Sequence, residues 1–201
     1  MKHFRLHDPI AMAVYIATIF SWLVFFVGFR WFRFRRPKTL EKRRDLASVI
    51  GIVLQGAGYA FLWSLQRPLF APIVPMPEWA EVVLAVVTVS VEIGSIWLAF
   101  SAVRTLGAQW AYVARVREGH RLITTGPYRW IRNPIYTGML GLMLASGLAL
   151  SRWIAFPIFI FLFGIGTYIR VSREEKLLRG EFGEQWDEYR RRVSAVVPGV
   201  F

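Results

Sequence analysis

The 201-residue sequence contains no cysteine and only three histidines. The lack of thiols excludes disulfide bonds, thiolate metal sites and a cysteine nucleophile. With so few histidines a zinc site is not expected either, and we predict no metal centre. Acidic residues are also scarce, because 13 Asp and Glu stand against 25 Lys and Arg. The chain is therefore strongly basic, with a formal net charge of +12.

Charged residues make up only 19% of the chain, whereas 55% of the residues are hydrophobic. Soluble domains contain about 25% charged and about 45–50% apolar residues. The apolar residues form five runs, at 10–29, 46–65, 80–103, 134–151 and 153–169. These runs do not alternate as strands would, and a bilayer-crossing helix needs about 20 apolar residues. The sequence predicts an all-α integral membrane bundle of about five transmembrane helices, and the two short last runs leave open whether their hairpin spans fully.

Most of the basic residues lie in three segments that flank the apolar runs. Residues 30–44, 104–132 and 170–192 hold eight, six and seven of the 25 Lys and Arg. Five spans place all three segments on one side of the membrane, and the positive-inside rule makes that side cytoplasmic. We therefore predict an N-terminus outside, a cytoplasmic C-terminus and contact with anionic membrane lipid. Nucleic acid is not an expected partner, because the basic segments flank membrane ends and contain no recognition motif.

The connector at 104–133 is much longer than the two to eight residues that usually join bundle helices. Long connectors of this kind often carry functional residues. Within it, Asn133-Pro134 stops one element and starts the next helix. Backbone N–H groups just behind Pro134 are expected to be free, so this helix start could hold a carboxylate or another anion.

Four polar residues lie within or beside the apolar runs. Arg170 and Glu174 are i,i+4 neighbours at the membrane edge, where a charged pair is expensive, so a functional role is favoured over a surface ion pair. Glu92 lies near the middle of a run and could line a polar cavity or bond to a neighbouring helix while protonated. Gln55 is interpreted as a hydrogen-bonding contact between helices.

Two segments carry a family resemblance. The first reads HRLITTGPYRWIRNPIYTG, and the second, about 35 residues later, reads REEKLLRGEFGEQWDEYRRRV. Together they resemble the C-terminal region of the isoprenylcysteine carboxyl methyltransferase family, a region that membrane phospholipid N-methyltransferases share. The resemblance covers about residues 104–198, whereas the earlier apolar runs match in hydropathy alone.

The resemblance implies a membrane methyltransferase that uses S-adenosylmethionine, with N-terminal membrane helices in 1–103 and a methyltransferase core in 104–201. Within the core it implies a cofactor-binding connector, a helical hairpin at 134–169 and a C-terminal cytoplasmic helix at 170–192. It also implies that Arg170 faces a lipophilic methyl acceptor. The cofactor contacts that it implies are His120, Arg121, Leu122, Ile123, Tyr128, Asn133, Pro134, Ile135, Tyr136 and Glu174.

The sequence departs from the family at Asn133, where the family usually has histidine. Asparagine forms hydrogen bonds but cannot carry a proton near neutral pH. The resemblance names neither the acceptor nor the methylated atom, and it sets no oligomeric state. Two alternatives stay open: a nicotinamide-dependent membrane reductase of the sterol reductase type, and a non-catalytic membrane accessory protein. The absence of a eukaryotic-type retention signal and of a long N-terminal extension favours a prokaryotic inner membrane.

Overall fold

The computed structural model describes residues 8–35, 41–45, 47–68, 71–112, 115–117, 119, 121–197 and 199. These residues form six α-helices: α1 (Pro9–Phe34), α2 (Ser48–Ser64), α3 (Glu78–Leu106), α4 (Pro134–Leu150), α5 (Ala155–Phe182) and α6 (Glu184–Arg192). Two short strands, β1 (Glu41–Arg44) and β2 (Arg115–Arg117), pair in an antiparallel ribbon. Apart from this ribbon the described fold is helical, which confirms the predicted all-α membrane bundle.

The five apolar helices differ in how far they can reach across a bilayer. By length and composition three segments are long enough to cross a membrane. They are α1, α5 and α3 together with the 3₁₀ turn that follows it, which span Glu78–Gln109. The helices α2 and α4 are apolar but have only 17 residues each. At 1.5 Å per residue they cover about 25 Å, less than the roughly 30 Å of a hydrocarbon core. The five predicted apolar helices are therefore present, and three of them have spanning length.

The C-terminal helix differs from its prediction. The resemblance implied a hairpin that ends at 169 and one C-terminal cytoplasmic helix at 170–192, but α5 runs without interruption from the apolar region to Phe182. It ends at Gly183, whose φ of 53° lies in the left-handed region and whose N–H donates to the Arg179 carbonyl. Glycine adopts this conformation without the strain that a Cβ would cause, so it ends the helix and the short α6 follows.

Two glycines let α2 lie directly against α5. A Cβ at Gly51 would collide with the Arg170 side chain and would lie 2.5 Å from the Gly166 carbonyl oxygen. A Cβ at Gly166 would lie 2.7 Å from the Gly51 carbonyl oxygen. Small residues of this kind let helix backbones approach closely in membranes. This contact brings the polar side chains of α2 within reach of Arg170.

A buried carboxylate joins α1 to α3. Glu92 is 0% exposed, and its two oxygens accept hydrogen bonds from Thr18 Oγ1 at 2.6 Å and Ser21 Oγ at 3.0 Å. Both donors lie on α1, so Glu92 bonds to a neighbouring helix, which is one of the two interpretations that the sequence left open.

Candidate functional site

A cavity of about 410 Å³ lies where the cytoplasm-facing basic segments were predicted. Its polar half is lined by residues of the connector, of α4 and of α5: Tyr128, Arg132, Asn133, Ile135, Tyr136, Arg170 and Glu174. Its apolar half is lined by α1 and α2, including Phe25, Phe26, Phe29, Ile52 and Tyr59. One cavity thus joins a charged region to the aromatic interior of the bundle.

Arg170 is the buried cation of this cavity, with 7% of its surface exposed. Its Nη2 donates to the Tyr112 carbonyl oxygen at 2.6 Å, and its Nη1 donates to Gln55 Oε1 at 3.2 Å. The guanidinium carbon lies 5.0 Å from the centroid of the Tyr136 ring, within cation–π range. Its Nε has no hydrogen-bond partner among the described residues. A buried guanidinium N–H without a partner is unfavourable.

Glu174 supplies the negative charge of the same site. Its Oε1 accepts a hydrogen bond from the Tyr136 hydroxyl at 2.5 Å and lies 3.8 Å from Arg170 Nη2. The carboxylate side chain is 27% exposed, so a molecule in the cavity can reach it. The predicted i,i+4 pair on one helix face is confirmed.

The next residue, Glu175, has a different role. Its carboxylate pairs with Arg132 at 3.1 Å and with Arg190 at 3.5 Å. Arg132 also donates to the carbonyl oxygens of Arg190 and Val193. The two adjacent glutamates therefore have different roles. Glu174 faces the cavity, whereas Glu175 and Arg132 hold the connector to α6.

Tyr128 provides an aromatic wall. It lies in a 3₁₀ turn, Gly126–Arg129, and its carbonyl oxygen accepts a 2.6 Å hydrogen bond from the Tyr189 hydroxyl. Burial raises the pKa of Tyr128 well above its usual value, and the negative charge of Glu174 adds to this effect. The phenol therefore stays neutral at physiological pH.

Two backbone amides just before α4 are not free, contrary to what the sequence suggested. The Arg132 N–H donates to the Ser194 carbonyl at 2.8 Å, and the Asn133 N–H donates to the Ala195 carbonyl at 3.0 Å. Asn133 Nδ2 donates to the same Ala195 oxygen at 3.1 Å. The expectation of an anion site behind Pro134 is wrong for these two amides, because the segment after α6 covers them.

The cofactor contacts that the resemblance implied at residues 121–123 do not line the cavity. Arg121 is exposed, and its N–H donates to Gln109 Oε1 at 2.5 Å. Neither Arg121 nor Leu122 nor Ile123 is among the described residues that line the cavity, although Gln109 is. His120 lies outside the described residues, so its implied cofactor contact stays a prediction. Pro134 is fully buried beside the cavity rather than lining it.

A phospholipid methyltransferase family profile matches residues 82–185, which is about half of the chain. The chain belongs to the phospholipid methyltransferase family. The matched segment includes the connector and the cavity residues Tyr136, Arg170 and Glu174, as the sequence resemblance implied. The helices α1 and α2, which line the apolar half of the cavity, lie before it.

Curated relatives of this methyltransferase family member match about half of the chain. A protein-S-isoprenylcysteine O-methyltransferase of Saccharomyces cerevisiae is 29% identical over 101 residues, covering 49% of this chain and 42% of that protein. Protein-S-isoprenylcysteine O-methyltransferase B of Arabidopsis thaliana is 32% identical over 105 residues, covering 50% and 52%. The uncharacterized protein YpbQ of Bacillus subtilis is 28% identical over 96 residues, covering 48% and 55%. The chain thus matches about half the length of these relatives, and the predicted prokaryotic membrane stays a prediction.

Several cavity residues of this family member were not identified from the sequence as site residues. Gln55 was interpreted as a contact between helices, and its 2.9 Å bond to Thr167 Oγ1 confirms that, but it also reaches Arg170. Tyr59 lies one helical turn further along α2, and its hydroxyl has no partner among the described residues. A polar residue every four positions along an apolar run was the available signal. No group of three or more potential metal ligands occurs within the described part of the chain.

Proposed function

We propose that this protein transfers a methyl group from S-adenosylmethionine to the carboxylate of a lipophilic acceptor. The observation that carries the proposal is the pair of Arg170 and Glu174, 3.8 Å apart, which both line a cavity that continues into the aromatic bundle. The family membership and the O-methyltransferase names of the matched relatives support the same reaction class.

The polar half of the cavity suits S-adenosylmethionine by the chemistry of its groups. Glu174 can accept hydrogen bonds from ribose hydroxyls or from an ammonium group, and Tyr128 and Tyr136 offer aromatic faces to an adenine or to a cationic sulfonium. The cofactor supplies an electrophilic methyl group on that sulfonium, so that an S–C bond breaks as the acceptor gains a methyl group. The protein's contribution is to align the two reactants and to exclude water.

The charge of Arg170 selects the acceptor. A guanidinium binds a carboxylate through parallel N–H donors, whereas it repels a protonated amine. A carboxylate acceptor is already ionised at neutral pH, since free carboxyl groups have pKa values of about 4. No side chain has to remove a proton before an O–C bond forms. Asparagine at position 133 is therefore compatible with this reaction, although it cannot titrate.

The apolar half of the cavity suits a hydrophobic tail. Phe25, Phe29 and Tyr59 line it with aromatic surface, and Phe26 is 58% exposed on the outer face of α1. Since this outer face is lipid-facing in a membrane bundle, an acceptor could enter sideways from the bilayer. The isoprenylcysteine named for the relatives is such a molecule, because it joins a carboxylate to an apolar chain. With the basic segments on the cytoplasmic side, methyl transfer would occur at the cytoplasmic face.

Calorimetry on detergent-purified protein tests cofactor binding directly. The wild type is expected to bind S-adenosylmethionine, and Glu174→Ala and Tyr136→Ala are expected to weaken that binding, because each removes a group at the polar end of the cavity. Trp97→Ala is a matched control, since Trp97 is an exposed residue on α3. The absence of binding heat with the wild type, or equal affinity in all the variants, would rule out the proposed site.

A further inference from the structure

We propose that Gln55 is a positioning residue that holds Arg170 in the orientation needed for the methyl acceptor. This proposal rests on the proposed function and adds a role for α2, which lies outside the segment that the family profile matches. Gln55 is 2% exposed and bridges two residues of α5, Thr167 and Arg170.

The two ends of the Gln55 amide have separate partners. Nε2 donates to Thr167 Oγ1 at 2.9 Å, and Oε1 accepts from Arg170 Nη1 at 3.2 Å. Because a guanidinium only donates whereas a hydroxyl can also accept, the amide turns its oxygen to Arg170 and its nitrogen to Thr167. The Thr167 hydroxyl, one turn before Arg170 on the same helix, thus anchors the other end of the Gln55 amide.

The guanidinium of Arg170 is held at both terminal nitrogens. Nη1 donates to Gln55 and Nη2 donates to the Tyr112 carbonyl. With both ends of the planar group fixed, the guanidinium cannot rotate freely about its own axis. Its plane therefore has a defined orientation beside the cavity that Arg170 lines, which an acceptor carboxylate requires for a bidentate pair.

Gln55 also keeps Arg170 from forming a tight ion pair with Glu174. The Arg170–Glu174 distance of 3.8 Å is long for a hydrogen-bonded ion pair, which is usually about 2.7–2.9 Å. Without the Gln55 oxygen, Nη1 would lose its acceptor, and the guanidinium could turn towards this carboxylate. A tight pair would neutralise both residues, so Arg170 would bind an acceptor less well and Glu174 would bind a cofactor less well.

The alternative explanation is that Gln55 only joins α2 to α5. Buried glutamines do form such contacts between membrane helices. The Gly51–Gly166 approach already brings these helices together, so a purely structural Gln55 would affect the stability of the bundle and not the acceptor. The two explanations therefore differ in what they predict for the kinetics.

Methyl-transfer kinetics with N-acetyl-S-farnesylcysteine as the probe distinguish them. Gln55→Met keeps the side-chain volume and is expected to raise the KM for the probe about tenfold, as the loss of a hydrogen bond to a charged group would. Thr167→Val is expected to raise KM about threefold through the released Gln55, whereas Thr167→Ser keeps the hydroxyl and should behave as the wild type. Ser21→Ala removes a comparable buried hydrogen bond to Glu92 and should leave KM unchanged.

A measurement that does not need turnover covers the case in which the wild type does not methylate the probe. In protein labelled with ¹⁵N-arginine, the two Nη positions of Arg170, assigned with Arg170→Lys, are expected to be distinct in the wild type and averaged in Gln55→Met. An inactive wild type with distinct Nη signals would contradict the proposed function alone. Unchanged KM in Gln55→Met, or unchanged Nη signals in that variant, would overturn the role of Gln55.

Discussion

Two carboxylates of the helix bundle, Glu92 and Glu174, have opposite surroundings. Glu92 is fully enclosed between α1 and α3 and accepts hydrogen bonds from two hydroxyl groups. Glu174 is partly exposed, lines a cavity, and faces a guanidinium and a phenol. Both are unusual residues in an apolar sequence, but only Glu174 has a charged neighbour and an open side.

The difference shows what marks a functional carboxylate in this protein. Glu92 shows that an acidic residue buried in an apolar run is not sufficient to indicate a site. The cavity and the oppositely charged partner distinguish Glu174. Four experiments test this difference between Glu92 and Glu174 and its causes.

The largest difference in cofactor affinity is expected when Glu92 and Glu174 are each replaced by glutamine. Glu174→Gln removes the charge that faces the cavity, and the loss of a charge-assisted hydrogen bond should weaken S-adenosylmethionine binding about 10- to 100-fold. Glu92→Gln keeps the shape and one acceptor oxygen, so the Kd should change less than about twofold. Calorimetry on both variants measures this, and equal losses in the two would contradict the distinction.

Glu92 should matter instead for the stability of the bundle. Glu92→Leu leaves the Thr18 and Ser21 hydroxyls without their buried acceptor, and we expect a loss of about 1–3 kcal/mol in the free energy of unfolding. Replacing these hydroxyls as well, with Thr18→Val and Ser21→Ala, should recover most of the loss. Denaturant unfolding in detergent measures both effects, and unchanged stability of Glu92→Leu would show that the hydroxyl bonds contribute nothing.

Tyr136→Phe is expected to have a smaller effect at the site. It removes the 2.5 Å hydrogen bond to Glu174 but keeps the ring beneath Arg170. We expect the cofactor Kd to rise about three- to tenfold, less than in Glu174→Gln, because the charge stays. If this variant weakened binding as much as Glu174→Gln, the hydroxyl rather than the charge would be the important group.

The smallest effect is expected for Tyr59→Phe. The Tyr59 hydroxyl is buried without a partner among the described residues, so its removal should leave stability within about 1 kcal/mol of the wild type or raise it slightly. Thermal unfolding in detergent measures this. A clear loss of stability would indicate a bond that the free protein makes to this hydroxyl.

Local features of the site could be predicted from the sequence, whereas distant contacts could not. Arg170 and Glu174 were placed together because i,i+4 spacing on a helix brings side chains together wherever the helix lies. The partners of Glu92 lie 71 and 74 residues away, and no periodicity indicates them. The end of α5 at Gly183 was missed, although glycine after a helical run is a known stop signal.

The start of α4 illustrates the same limit. The motif at Asn133-Pro134 correctly predicted where the helix begins, because proline is favoured in the first turn. It could not show that carbonyl groups about 60 residues later would cover the preceding amides. The second bond of Gln55 was likewise invisible, since it depends on how closely α2 approaches α5.

Transfer of a labelled methyl group from S-adenosylmethionine to N-acetyl-S-farnesylcysteine is the decisive measurement of the proposed reaction. The purified wild type and Glu92→Gln should both form a base-labile methyl ester, and Arg170→Lys should form at least about tenfold less, because an ammonium cannot make the bidentate pair. Ester formation by Arg170→Lys at the wild-type rate, or no labelled ester with the wild type, would contradict it.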